Sequence, residues 1–91
     1  MQTKETKHMK PHERLVGKTN EELLTLAPEA THQHRKGGLY RDLGIALDAE
    51  TKLPYHDTRG SLRAWQHIWP YEKSVLLRPV SEDHKFVSLS E

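Results

Sequence analysis

A chain of 91 residues with 14 Lys and Arg against 13 Asp and Glu, and no cysteine, has room for one small domain. It has no global basic field to draw it onto nucleic acid or an anionic membrane, and it cannot form disulfides or thiolate metal sites. No apolar run approaches the roughly 18–20 residues of a membrane span and no signal or lipidation motif is present, so the expectation is a cytoplasmic protein without a membrane partner.

Residues 1–18 hold many charges, few large apolar side chains and Pro11, and are expected to form a flexible N-terminal arm. The single small β domain is expected over 19–91, beginning with a short helix at 19–27. Thr19 and Asn20 are the N-cap candidates, Glu21 and Glu22 suit the positive end of a helix, and Leu23, Leu24, Leu26 and Ala27 supply an apolar face before Pro28 stops it. Two turns of helix are unstable alone, so the leucines must dock on the sheet that follows.

From Thr31 the period becomes that of strands, interrupted by the Gly37-Gly38 turn. In the run 39–47, Leu39, Leu43, Ile45 and Leu47 share one parity and are expected to face the core; Arg41 breaks the pattern on the apolar side, which a bulge near Gly44 or an arginine at a barrel rim would explain. The stretch 48–60 is rich in turn formers; it reads as a loop that extends the preceding strand into a hairpin, and as a candidate lid. Over 62–69, Arg63, Trp65, His67 and Trp69 share one face of a strand, and Leu62, Ala64, Gln66 and Ile68 the other. If the leucine face covers the core, the tryptophans form a stacking platform; in the reversed register they are the core themselves. Pro70 ends this strand, 75–80 forms another, and 81–87 forms a polar turn and an edge strand carrying Phe86. The expectation is a mainly β fold, either a small, strongly bent antiparallel sheet or an SH3-like barrel, with one short N-terminal helix.

His34-x-Lys36-Gly37-Gly38-Leu39-Tyr40, Leu43-Gly44-x-Ala46, Glu50-Thr51 and Leu77-Arg78-Pro79, with an acidic and a phenylalanine position downstream, resemble the small bacterial and phage domain of unknown function numbered sixteen fifty-three. The resemblance spans about residues 32–87 and implies a single small β domain, with no activity established for the family. The chain departs from that pattern before the Arg-Pro pair, where members carry a tryptophan and this chain has Val75-Leu76-Leu77. A short accessory chain of this kind is also similar to phage-encoded products.

Chemistry-bearing residues collect in two stretches. His34, Arg35, Lys36, Gly37, Gly38, Tyr40 and Arg41 surround a turn whose main-chain N–H groups can form a small anion nest. Trp65, His67, Trp69 and, further on, Arg78 add rings and a cation. Together these are the candidate ligand-binding residues, the two stretches being halves of one site if the sheet bends enough to bring them together. His32 and His34 sit two apart, and His67 or His56 could add a third metal ligand. A His-x-His pair with no carboxylate or cysteine at ligand spacing reads more simply as hydrogen-bonded histidines, and neither metal nor cofactor is expected. No serine or threonine stands in a nucleophile context, so the expectation is a protein that is not an enzyme.

The function expected is a non-enzymatic domain that binds, and by its phage-like character sequesters as an anti-defence protein, an anionic nucleotide-type small molecule, with a homo-oligomer completing the pocket. The alternative is a protein–protein interaction module that inhibits or recruits a larger partner. Single-stranded nucleic acid is the weaker third reading, because the net charge is near zero.

Overall fold

The computed structural model describes residues 10–90. The first nine residues of the expected arm lie outside them, but its remainder departs from the expectation. Pro11–Leu15 form a 3-10 helix, η1, whose first position is preset by the proline ring, with Lys10 N–H donating to Glu13 Oε1 at 3.1 Å. Leu15 is buried and ties this segment to the core. Pro11 therefore starts a turn, where the sequence had suggested only an interruption.

The helix α1 spans Asn20–Leu26. Thr19 Oγ1 accepts from Glu22 N–H at 3.1 Å, and Glu22 Oε1 accepts from Thr19 N–H at 2.9 Å, a reciprocal cap that satisfies two donors at the frayed end. Leu23 is wholly buried and Leu24 half-buried, whereas Leu26 is exposed. The apolar face is thus narrower than the leucine spacing suggested.

Six strands follow: β1 His32–His34, β2 Leu39–Ile45, β3 His56–Asp57, β4 Gly60–Trp69, β5 Leu76–Pro79 and β6 Phe86–Ser88. They form one antiparallel sheet in the order β3-β4-β2-β1-β6, with β5 also paired to β4. A second 3-10 turn, η2 at Val80–Lys85, carries the chain from β5 to β6. The fold is therefore mainly β, a bent sheet as expected. The barrel alternative fails on closure, since β5 pairs with β4 and β6 with β1 but no ladder joins β5 to β6. The 48–60 stretch folds back through a Leu47–Pro54 bridge, and Asp48 Oδ1 accepts from the N–H groups of Glu50 and Thr51. No helix among the described residues is long and apolar enough to cross a membrane.

Two apolar clusters lie on the two faces of the sheet, because neighbouring strand residues point to opposite sides. Leu39 joins Leu15, Leu23, Ala27, Ala30 and Leu89 on the helix side, with Leu24 and Ile68 packed against them. Tyr40 joins Trp65 and Phe86 on the other, with Leu76. The single-parity reading of 39–47 is corrected by this arrangement. Register shifts occur between Leu39 and Tyr40 and between Asp42 and Gly44, the second at a glycine with φ 98°, and beyond them Leu43, Ile45 and Leu47 are exposed. The bulge expected near Gly44 is present, and it is what breaks the parity. Past it, β2 contributes nothing to either cluster.

Candidate functional site

On the aromatic face the bent sheet opens into a cavity of about 410 Å³. Its first wall is the β1–β2 turn, closed by His34 N–H donating to the Gly38 carbonyl at 2.8 Å and Gly37 N–H to the His34 carbonyl at 2.7 Å. Gly37 has φ 117°, and a Cβ there would overlap the His12 carbonyl, so the glycine lets η1 seat directly on the turn. Gln33 Nε2 braces the same junction by donating to the carbonyls of Leu15 and Gly37. The turn aims His34, Arg35, Lys36 and Gly38 into the cavity, and η1 adds His12.

The centre is a ring stack. Tyr40 and His67 are opposite each other in the β2–β4 ladder and lie parallel, 4.5 Å between centroids and 9° between planes. A Cβ on Gly38 would come within 3.1 Å of both rings, so that glycine makes room for the stack. His67 Nε2 donates to the Trp69 carbonyl at 3.0 Å, which assigns the proton to Nε2 because a carbonyl can only accept. The far wall comes from the β4–β5 connection, where Lys73 N–H donates to the His67 carbonyl at 3.2 Å and brings Tyr71 and Lys73 over the cavity. Leu76 and Arg78 of β5 and Lys85 at the end of η2 complete the lining. Arg35 N–H donates to the Lys85 carbonyl at 2.9 Å and joins η2 to the turn.

Among the described residues, the lining thus carries Arg35, Lys36, Lys73, Arg78 and Lys85 and no carboxylate. Its electrostatics show in the histidines. Burial, then the charges of Arg78, Lys36, Arg35 and Lys85, push His34 down to about 4, so it is neutral near pH 7. Its Nδ1 accepts from Lys36 N–H at 3.1 Å, consistent with that neutral ring. Burial also lowers His67, outweighing its bond to the Trp69 carbonyl, with Lys73, His12 and Arg78 adding to the effect. Both rings are therefore uncharged acceptors or donors in a positive field, and an anion is what that field attracts.

Of the residues expected at the site, the structure brings His34, Arg35, Lys36, Gly38, Tyr40, His67 and Arg78 to one cavity. The two stretches do meet across the sheet. Gly37 stands behind the wall as the seat for His12, and Arg41 points to solvent. The tryptophans part company. Trp65 is buried and stacks on Phe86 at 3.9 Å, edge-on to Tyr40, so it supports the cavity from within the core. Trp69 lies 39% exposed and outside the lining, because the β4 register shifts between His67 and the end of the strand. No stacking platform of two exposed tryptophans exists. The 48–60 hairpin contributes no lining residue, so it is not a lid on this cavity.

Sequence reasoning missed His12, Lys73, Leu76 and Lys85, and left Tyr71 as a ring that could join either the platform or the core. Each lies in a stretch read as arm, turn or plain strand, and only the fold places them together. As for metal, His32 bonds Thr31 Oγ1 and packs on Trp65, and His56 bonds Ser61. Among the described residues no three His, Asp or Glu side chains converge on a metal position.

No family model, curated protein or solved structure matches this chain, and the likeness to the domain of unknown function rests on the quoted residues alone.

Proposed function

We propose that the cavity binds an anionic small molecule that carries a ring, a nucleotide in chemical type, and holds it without turning it over. The observation that carries this reading is the convergence of five cationic side chains, with no carboxylate, around the Tyr40–His67 stack. The cations recognise the anionic group, and the ring stack with Tyr71 and Leu76 offers flat and apolar surface to a base. The volume lies within the roughly 300–1,000 Å³ of small-molecule sites. Binding rather than turnover is favoured by a lining that, among the described residues, offers the imidazoles of His12, His34 and His67 but no serine, threonine or carboxylate. Sequestration of a nucleotide-derived signal, the phage-type role, would need no more than this. Isothermal titration of the full chain with mono-, di- and cyclic nucleotides at about 100 μM protein tests the reading, a level chosen to reveal micromolar affinity. Heat from at least one is expected, and silence from all would sink it.

A second reading has its own observation. Leu43, Leu47 and Leu53 are exposed on the hairpin around the Leu47–Pro54 bridge, away from the cavity, and suit an interaction module docking on a partner protein. It predicts a co-purifying protein that Leu53→Glu releases and that substitutions in the cavity do not.

A further inference from the structure

The cations of the cavity come from separate elements: Arg35 and Lys36 from the β1–β2 turn, Lys73 from the β4–β5 connection, Arg78 from β5 and Lys85 from η2. Glu82 is their only carboxylate partner among the described residues, reaching Arg78 at 3.4 Å and Lys85 at 3.9 Å. Arg35, Lys36 and Lys73 have none there. Arg78 in addition keeps its Nε buried without an acceptor. Like charges gathered on one rim repel, and a single phosphate, at about −1.5 to −2, leaves roughly half of the positive charge that remains after Glu82 uncompensated.

The arrangement also divides in space. Arg35 and Lys85 are joined through the Arg35 N–H bond to the Lys85 carbonyl, on the β1 side, whereas Lys73 is tied to β4 through the His67 carbonyl, across the Tyr40–His67 stack. Resting on the nucleotide reading above, we infer that the anionic part of the ligand is a chain of two or three phosphates, a nucleoside di- or triphosphate, spanning from the β1 side to Lys73. One phosphate meets Arg35, Lys36 and Lys85, and the next reaches Lys73. Each added phosphate brings at least one more negative charge and further acceptors for the donors that lack them.

The test is calorimetric titration of the full chain with AMP, ADP and ATP, the matching guanine series, and inorganic pyrophosphate. ADP or GDP is expected to bind at least about tenfold tighter than its monophosphate, with the gap narrowing as salt is raised. Lys73 is exposed, so Lys73→Ala should keep the melting temperature and weaken diphosphate binding by a larger factor than monophosphate binding, shrinking the advantage of the diphosphate. Mono- and diphosphate affinities within twofold of each other in the unsubstituted chain would overturn the inference and leave the nucleotide reading standing. Pyrophosphate binding with no nucleotide bound would overturn the nucleotide reading and, with it, the nucleoside di- or triphosphate. Silence from every probe would overturn both.

Discussion

His34 sits at the junction of strand and turn, paired with Phe86 across the β1–β6 ladder and edge-on to its ring at 4.9 Å. Its ring is held neutral by burial and by the surrounding cations, pushed down to about 4, whereas in the unfolded chain it titrates near 6.5. Between those values the unfolded chain binds the extra proton, so stability rises with pH across the window and is lost as pH falls through it. His67, lowered for the same leading reason, acts in the same direction. Urea denaturation at pH 7.5 and pH 4.5 should differ by on the order of 2 kcal/mol, a figure discounted because His34 borders an open cavity. His34→Gln should flatten part of that slope; a slope unchanged by the substitution would place the titration elsewhere. The basic turn beside His34 was legible from residue types alone. The depressed titration was not, since its leading cause, burial, and two of its four charged causes, Arg78 and Lys85, come from the fold rather than from the local turn.

At the scale of elements, α1 illustrates what local sequence settles. The Thr19–Glu22 cap needs only residues three apart, and it was readable before any tertiary contact. Thr19→Ala is expected to cost about 1 kcal/mol, a fall of roughly 4–8 °C in melting temperature for a domain of this size, while Thr19→Ser should be nearly neutral. Thermal melts followed by circular dichroism decide between these. Strand β2 shows the opposite case. Its alternation from Leu39 to Leu47 is broken in sequence only by Arg41, yet the bulge at Gly44 ends the regularity in space, so Leu43, Ile45 and Leu47 face solvent. Glycine marks that a bulge can form there. It does not say which residues the bulge will turn out. The η1 segment was unreadable for a related reason: Leu15 is one apolar residue in a polar stretch, and its burial depends on the Gly37 surface that receives η1.

For the whole molecule, the sheet separates two tasks. The helix-side cluster holds η1 and α1 against Leu39 and Leu89, while the aromatic cluster of Tyr40, Trp65 and Phe86 supports the cavity. Leu23, wholly buried, belongs to the first and lines no part of the cavity. Leu23→Ala should therefore cost about 2–5 kcal/mol in chemical denaturation yet leave the affinity for any nucleotide within about twofold, measured where the variant is still folded. A loss of tenfold or more would show that the two faces are energetically coupled.

By itself the sequence determined the class of fold, the start of the helix and the glycine turn with its cations, and it marked Gly44 as a place where a bulge could form, because each follows from neighbours a few residues apart. Only the tertiary structure decided that the sheet stays open, that Trp65 is core while Trp69 is not, and that His12, Tyr71, Lys73 and Lys85 join the turn in one cavity. The physical reason is common to these: strand register and the bend of the sheet place residues far apart in the chain side by side, and no local pattern encodes that placement.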